Sequence, residues 1–257
     1  MKRLIFLVVL VASVQAMAQN LISQSQSDII FKSAKDLLAH HEYGAARDAF
    51  AQFLVVAPQN DARRTDAEYY EAFSGLSLYH GDGEKKISDF IESHPQSPKS
   101  ALAYYDLGSF FYGEKNYQKA SAYFQKVDFP SLGNETQNTG RFRWGYSLFN
   151  LRKLKESLDQ FNFIKSQGGQ FGIAASYYAG VIEYGNGDYA AALVDLKRAE
   201  ANESYATIVP YIIANVYYKQ KKYDELLTYT NSLATRENIS DSKEIALLSA
   251  EAYFKKG

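Results

Sequence analysis

Apolar residues recur three and four positions apart through most of the chain after residue 27, which is the period of an amphipathic helix. The segment 101–111 shows this period clearly, and the polar turn 113–116 separates it from a second periodic segment at 117–124. Similar polar turns, often containing glycine, lie at 81–83, 185–188 and 219–222. The pattern therefore predicts an all-α chain of antiparallel helix pairs joined by short turns.

The predicted helix pairs share a fixed internal spacing. Small residues recur 33 to 41 positions apart, at Ala34, Gly75, Gly108, Gly145, Gly180, Ala214 and Ala250. Twelve positions after the first six stand Ala46, Ile87, Ala120, Ser157, Ala192 and Leu226. Four positions further stand Phe50, Ile91, Phe124, Phe161 and Leu196, while Thr230 breaks this column. A fixed offset within a variable period predicts a rigid two-helix unit, in which small residues let the helices approach and large ones fill the groove.

These repeats resemble the tetratricopeptide-repeat family. The matching residues are Leu107, Gly108, Phe111, Ala120 and Phe124; Trp144, Gly145, Leu148, Ser157 and Phe161; and Ala46, Phe50 and Pro58. The resemblance covers residues 27–257 and implies a right-handed superhelical α-solenoid. It would contain about six repeats and an unpaired first helix of a seventh at 245–254. The family also implies that the first helix of each pair lines a concave face.

Several positions depart from the family pattern. Glu84 stands where other repeats have a tyrosine, namely Tyr43, Tyr117, Tyr189 and Tyr223. Pro210 lies where a first helix should already be under way, so that helix is expected to begin near Val209. Extra residues at 59–66 and 130–138 predict two longer loops. The helix at 245–254 is apolar nearly all round, and repeat arrays need a polar terminal face, so we expect either a continuing chain or a covering partner.

The N-terminus has the pattern of a secretory signal. Lys2 and Arg3 precede an apolar run at 4–14, and small residues two apart follow at Ala16 and Ala18. The run is shorter than the roughly 20 residues that a membrane-spanning helix needs. The sequence thus predicts a signal peptide at 1–18, cleavage after Ala18, an extension at 19–26 and no integral membrane span after cleavage. We expect a bacterial protein that is periplasmic or secreted.

A local resemblance points to the same compartment. The stretch 90–98, leading into 103–108, is similar to repeats of periplasmic cell-envelope proteins, including outer-membrane assembly lipoproteins and cell-division coordinators. It is also similar to exported repeat proteins of Gram-negative, Bacteroidota-type bacteria. The chain has no cysteine and so lacks the lipid-bearing residue of the lipoproteins. The resemblance therefore implies the cell envelope more than a mechanism.

Composition and motifs argue against catalysis. The absence of cysteine excludes thiolate metal sites and thiol catalysis. The 28 basic and 29 acidic residues nearly cancel, which argues against a nucleic-acid partner. The histidines, at His40, His41, His80 and His94, form no metal motif, and no nucleophile or phosphate-binding motif is present. The sequence predicts a non-enzyme with no cofactor and no metal.

Aromatic residues form the candidate binding surface. Three positions before the small residue and four positions after it, two columns share one face of the first helices, because seven residues make two helical turns. The candidates are Tyr79, Tyr105, Tyr112, Phe142, Phe149, Tyr177, Tyr184, Tyr211 and Tyr218. Such rings suit peptide recognition, but they could equally pack between neighbouring first helices. The family's carboxylate-holding lysine and asparagine clamp is not supported, because Lys35 and Asn215 stand alone in separate repeats.

These features predict a periplasmic interaction scaffold that binds a peptide or protein segment in an aromatic groove, in cell-envelope assembly. The same tyrosines leave open a peptidoglycan- or glycan-binding module. The apolar last helix leaves open the N-terminal recognition arm of a larger protein. The sequence does not predict the partner's identity or an oligomeric state.

Overall fold

The computed structural model describes residues 24–256 of the chain. Within them, thirteen α-helices and one short 3-10 helix are present and no β-strand occurs. The first helix, α1, covers residues 24–39 of the described chain. The others are α2 (Tyr43–Val56), α3 (Arg64–Ser77), α4 (Gly83–Ser93), α5 (Pro98–Gly113), α6 (Tyr117–Phe124), α7 (Asn134–Asn150), α8 (Leu154–Gln167), α9 (Gly172–Asn186), α10 (Tyr189–Glu200), α11 (Val209–Lys219), α12 (Tyr223–Ser232) and α13 (Ser242–Lys256). The predicted signal peptide at 1–18 lies outside the described residues, as do residues 19–23 of the predicted extension.

The helices fall into two compact units that divide between Leu132 and Gly133. Unit 1 contains α1 to α6 and the 3-10 helix at Phe129–Ser131, and unit 2 contains α7 to α13. Within each unit, neighbouring helices along the chain pack on one another, as in the series α2 to α6 and the series α7 to α13. The predicted all-α arrangement of successive helix pairs is therefore confirmed.

Small residues mark the closest helix contacts, as the fixed spacing predicts. A Cβ added at Gly108 would lie 2.7 Å from the Phe124 ring, and one at Gly180 would lie 2.7 Å from Leu196. At Gly145 the added atom would lie 3.0 Å from the ring of Phe161. In each case the crowding residue is the groove-filling residue sixteen positions on, so the predicted offset describes a real contact.

The contact made at the small residue is different in the second repeat. A Cβ at Gly75 would meet the guanidinium of Arg47, at 3.4 Å, rather than a core side chain. Arg47 is in turn held by Glu71, 3.1 Å from its Nε, and by Asp82, 2.9 Å from an Nη atom. An ion-pair network therefore lies here, where the repeats of Gly108, Gly145 and Gly180 have a contact with a large apolar side chain.

One left-handed residue closes each helix-to-helix turn within a repeat. The residues with positive φ at these turns are His41, Tyr79, Lys115, Arg152, Gly187 and Lys221. Five of the six are not glycine, although this conformation costs an ordinary residue about 1–2 kcal/mol. The turn geometry is therefore imposed by the packing of the two helices and carries no glycine signal in the sequence.

Two of the expected departures are explained by local contacts. Helix α11 begins at Val209, with Pro210 in its first turn, as expected. Glu84, in α4, accepts hydrogen bonds from Lys119 Nζ at 2.8 Å and from Tyr123 Oη at 2.8 Å, both in α6. An acidic residue replaces the recurrent tyrosine because the next repeat supplies its partners.

The two predicted long loops are shorter than expected. Helix α3 begins at Arg64 and α7 begins at Asn134, so helical residues occupy the ends of both predicted segments. Asn134 follows Gly133, which has extended backbone geometry and starts the helix. The helix periodicity is weak in both first turns because these turns are rich in polar residues.

Candidate functional site

The aromatic column four positions after the small residue contacts the tyrosine that opens the second helix. The ring pairs are Tyr112 with Tyr117 at 6.4 Å, Tyr184 with Tyr189 at 6.1 Å, and Tyr218 with Tyr223 at 6.0 Å between centroids. The interplanar angles are 48° to 63°, within the tilted and edge-on arrangements that aromatic pairs prefer. These three predicted residues are half-buried, and each contacts a ring of its own repeat.

The column three positions before the small residue contacts a different partner. Tyr105 lies 6.3 Å from Phe124, and Phe142 lies 5.8 Å from Phe161, so each leans on its own repeat's groove-filling ring. Tyr177 instead stacks on Tyr205, in the segment before α11, at 4.8 Å and 28°. All three candidate rings are half-buried.

Two of the nine candidates pack between neighbouring first helices. Phe142 and Phe149, both in α7, lie 6.2 Å and 5.3 Å from Tyr178 of α9. Phe142 also stacks on Phe171 at 4.7 Å and 16°. Tyr178 thus joins α7 to α9. It lies one position after Tyr177 and therefore outside both predicted columns. For this pair the packing alternative describes the contacts.

Tyr79 does not lie on a first helix. Helix α3 ends at Ser77, three residues earlier relative to its small residue than α5 or α7. Tyr79 itself has φ of 58° and is 66% exposed, with a ring contact to Phe110 at 5.1 Å. The predicted placement of Tyr79 on the shared helix face is therefore wrong, because the helix has already turned left-handed at this position.

Of the six other candidates, Tyr105 and Tyr112 lie in α5 of unit 1. The other four lie on two neighbouring helices of unit 2. We call Tyr177 and Tyr184 of α9 and Tyr211 and Tyr218 of α11 the unit 2 tyrosine surface; all four are half-buried. Burial raises the pKa of Tyr177, and burial together with the phenols of Tyr189 and Tyr211 raises the pKa of Tyr184. These phenols are therefore neutral hydrogen-bonding groups at physiological pH.

Unit 1 carries a cationic cluster that the sequence analysis missed. Lys35 of α1 and Lys99 of α5 each donate a hydrogen bond to Tyr70 Oη of α3, both at 2.9 Å. Lys99, 64 positions from Lys35 in the sequence, was not among the residues singled out there. Asn215, by contrast, donates to the backbone carbonyl of Tyr211 in its own helix, at 2.9 Å.

Each unit also holds an acid whose pKa is raised. In unit 1, Asp106 accepts a hydrogen bond from Tyr69 Oη at 2.5 Å, and burial raises the pKa of Asp106 to about 7 despite that bond and the nearby Lys99. In unit 2, Lys165 pairs with Asp195, while Glu183 lies 3.8 Å away. Burial and the Asp195 charge raise the pKa of Glu183.

Metal-binding clusters and bilayer-spanning helices are both absent among the described residues. Among residues 24–256, no group of three histidine, aspartate or glutamate side chains is placed to hold a metal ion. Over the same residues, no helix combines the length and the apolar character that crossing a bilayer requires.

Helix pairs with small residues at their contacts and a groove-filling residue sixteen positions on define a tetratricopeptide-like α-solenoid fold. No protein-family model matches the sequence, and no curated protein sequence matches it. Solved structures do match the fold. MamA of AMB-1 aligns with a TM-score of 0.54 and 18% identity, over 70% of this chain and 93% of MamA.

Two other solved structures align over more of the chain. PilF of Pseudomonas aeruginosa aligns with a TM-score of 0.53 and 13% identity, over 91% of this chain and 99% of PilF. RapI in its apo form aligns with a TM-score of 0.53 and 13% identity, over 89% of this chain and 75% of RapI. At these identities the likeness shows a shared fold.

Proposed function

We propose that this protein is a non-enzymatic interaction scaffold that binds a peptide or protein segment through the unit 2 tyrosine surface. The observation that carries the proposal is the set of four half-buried phenols at seven-residue spacing on α9 and α11. Tyrosine supplies contact area and a hydrogen-bonding hydroxyl at low cost in side-chain entropy, which is why it is common at binding hot spots.

The rings of this surface are held in place from within unit 2. Tyr177 is fixed by its stack on Tyr205, and Tyr184 and Tyr218 are fixed by the tyrosines that open α10 and α12. A surface that is ordered before binding loses little conformational entropy when a partner arrives. An extended or helical segment could lie across the two helices.

Site-specific photo-crosslinking tests the proposal. A photoreactive residue replaces Tyr184, and a control replaces Lys197, which is exposed on α10. We expect a defined protein crosslinked from position 184 and not from position 197. Tyr211→Ala should reduce that crosslink at least tenfold, because it removes a neighbouring ring, while the far-UV circular dichroism melt stays unchanged. Equal products from both positions, or a Tyr211→Ala variant with full capture, would contradict the proposal.

A glycan ligand is the second candidate, because half-exposed phenol rings such as Tyr177 also stack on sugars. Sedimentation with purified peptidoglycan separates the two. Co-sedimentation that is lost in Tyr177→Ala would favour the glycan, and protein left in the supernatant would remove it.

We also propose that the scaffold works in the periplasm, in cell-envelope assembly, after cleavage of residues 1–18. The support is the basic, apolar and small-residue pattern of the first eighteen positions. Mass spectrometry of the protein from the periplasmic fraction should give an N-terminal peptide that starts at Gln19. An N-terminal peptide that retains residues 1–18, from the cytoplasmic fraction, would contradict this part of the proposal.

A further inference from the structure

Cations are concentrated where α7 joins α8 and where α11 joins α12. Arg152 and Lys153 occupy the first turn, and Lys219, Lys221 and Lys222 lie in or beside the second. We call these five residues the unit 2 basic edge. All five are exposed, and within residues 24–256 none forms an ion pair or a side-chain hydrogen bond. Their charge is therefore available to a partner.

Both turns lie at one edge of unit 2. The two helices of a pair are antiparallel, and α9 packs against α8, α10 and α11. The first helices α7, α9 and α11 therefore end at the same edge, where each is followed by its turn. Neighbouring helices lie about 8–10 Å apart, which places the two groups of cations about 16–20 Å from each other. Cations spread over this distance suit an extended anionic surface better than a single small anion.

Helix capping does not explain the cations of this edge. Lys153 and Lys222 are the N-cap residues of α8 and α12, and neither makes a capping hydrogen bond. At the equivalent positions, with nearly the same φ and ψ, Asn116 and Asp188 each accept a backbone N–H of the helix that follows. A cation at a helix N-terminus also lies at the positive end of the helix dipole. Lysine is therefore an unfavourable residue for the local structure at both positions.

The residues before these two lysines carry a further cost. Arg152 and Lys221 have left-handed backbone, with φ of 61° and 59°, where the repeat between them has Gly187. Glycine adopts this conformation freely, whereas a residue with a Cβ is strained in it. Four of the five cations thus stand where another residue would stabilise the turn better, so local stability does not account for them.

The loops at the opposite edge of unit 2 are acidic. Glu203, Glu237 and Asp241 lie in the loops that join α10 to α11 and α12 to α13, and all three are exposed. Arg236, in the second of these loops, is neutralised by Glu200, 2.6 Å from one of its Nη atoms. The charge of the connecting segments therefore changes sign from one edge of unit 2 to the other.

The acids near the basic edge serve the helices. Asp188 Oδ1 accepts a backbone N–H of α10 at 3.2 Å, and Asp224 pairs with Lys256. Glu156 and Glu225 are the third residues of α8 and α12, where the helix dipole stabilises an anion. None of these four acids forms an ion pair with a residue of the basic edge.

We propose that the unit 2 basic edge docks on an anionic phospholipid surface, with its ammonium and guanidinium groups on the lipid phosphates. Clusters of about four to eight lysines and arginines are attracted to anionic headgroups. The five side chains are exposed and do not converge on a pocket, which suits a fluid headgroup layer that demands no fixed geometry. Tyr189 and Tyr223 open α10 and α12 directly behind the edge, and tyrosine is common at the depth of lipid headgroups.

Vesicle co-sedimentation tests the proposal. The protein used is residues 19–257, which keeps every described residue and omits the apolar run at 4–14, because that run could itself enter a bilayer. The vesicles contain phosphatidylcholine alone or phosphatidylcholine mixed with phosphatidylglycerol. We expect binding to the anionic vesicles to be about tenfold stronger or more, since each cation near such a surface adds attraction. The difference should shrink as salt rises.

Matched variants connect this binding to the edge. Lys219→Gln, Lys221→Gln and Lys222→Gln together should lower the affinity for anionic vesicles about tenfold or more. The control combines Lys197→Gln, Arg198→Gln and Lys243→Gln, which makes the same change in net charge at exposed positions in the last turn of α10 and the first turn of α13. The control should bind as the parent does.

A single substitution separates binding from stability. Lys222→Asn places a capping residue on backbone that already has the geometry of Asn116. It should raise the melting temperature measured by circular dichroism and weaken binding to anionic vesicles. A variant that melts at a lower temperature than the parent would show that Lys222 stabilises the turn, which would remove the argument for a binding role.

Three other results would overturn the proposal. Equal binding to both kinds of vesicle would exclude an anionic lipid. Equal losses in the edge variant and in its control would mean that net charge, rather than the edge, attracts the protein. Release from the vesicles by soluble polyphosphate at the same phosphate concentration would identify a polyanion site instead of a membrane surface. None of these results depends on Tyr184, so the peptide-binding proposal is tested separately.

Discussion

The two units use the same helix-pair skeleton but treat buried charge in opposite ways. In unit 1 the half-buried acid Asp106 accepts a hydrogen bond from a neutral donor, Tyr69, and two lysines donate to the half-buried phenol of Tyr70. In unit 2 the half-buried lysine is paired with acids instead: Lys165 contacts Asp195 and lies 3.8 Å from Glu183, both of which are buried. Lys35 and Lys99 of unit 1 therefore have no carboxylate within ion-pairing distance among the described residues, whereas Lys165 of unit 2 lies within that distance of two acids.

This difference shows which positions the skeleton leaves free. The contacts of Gly108 and Gly145 are alike in the two units, because close helix approach allows little else. The charged groups differ between the units: Asp106 is hydrogen-bonded to Tyr69 in unit 1, and Lys165 pairs with Asp195 in unit 2. Substitutions at the charged groups and at the glycine contacts therefore test whether the two units differ in this way.

The largest expected effect is the removal of Lys165, the lysine that pairs with the buried acids of unit 2. Lys165→Met leaves Asp195 and Glu183 facing each other without a cation, which should cost about 3–5 kcal/mol of unfolding free energy. Trp144 is the single tryptophan and lies in unit 2, so its fluorescence in urea reports this loss. The unit 1 counterpart, Tyr69→Phe, should cost about 1–3 kcal/mol and leave the Trp144 transition in place. Equal shifts of that transition in both variants would refute the contrast.

Overpacking at the helix contacts should come next. Gly145→Leu forces a side chain into the ring of Phe161 and should destabilise the chain by about 1–3 kcal/mol or more. Gly75→Ala is the contrasting variant, because its new methyl group would lie 3.4 Å from the Arg47 guanidinium, an ordinary contact distance, and meets no core side chain. That variant should be neutral or stabilised by up to about 1 kcal/mol through helix propensity. A Gly145→Leu protein that melts like the parent would show that the repeat phase is misassigned.

The two acids with raised pKa values predict that unfolding free energy depends on pH. Asp106 and Glu183 have raised pKa values, so each keeps its proton in the folded chain at a pH where the unfolded chain has lost it. Unfolding free energy should therefore fall as pH rises from about 4.5 to about 7, by up to about 3 kcal/mol per acid, and then level off. The fall of the urea midpoint with pH should be smaller in Asp106→Asn and in Glu183→Gln than in the parent, because each variant removes one of the two acids. If the unfolding free energy rose over this pH range in the parent and in both variants, the predicted direction would be wrong.

The turns should give the smallest effect. Arg152→Gly relieves a left-handed backbone at φ of 61° and should stabilise the chain by about 0.5–1 kcal/mol. Gly187→Ala, at the equivalent turn of the next repeat, should lose about 1 kcal/mol. Thermal melts of the pair should therefore shift in opposite directions. Shifts in the same direction would show that the turn conformation is not the cause.

Sequence reasoning predicted what repeats and missed what does not. The contact of Gly145 with Phe161 and the start of α11 at Val209 were both predictable, because spacing and proline chemistry are visible in the chain. The early end of α3 was not, because Tyr79 takes a left-handed conformation that its side chain does not signal. The Lys35–Tyr70–Lys99 cluster was missed because its members are 35 and 29 positions apart and share no motif.

Glu84 has a consequence for the order of the repeats. Its partners, Lys119 and Tyr123, belong to the following repeat, so the second repeat is specific for its neighbour. A duplication or an exchange of repeats would place this carboxylate against a different surface, while the left-behind Lys119 and Tyr123 would lose their acceptor. The repeats of unit 1 are thus not interchangeable modules, and a shuffled gene would encode a weaker junction even though each helix pair kept its own core.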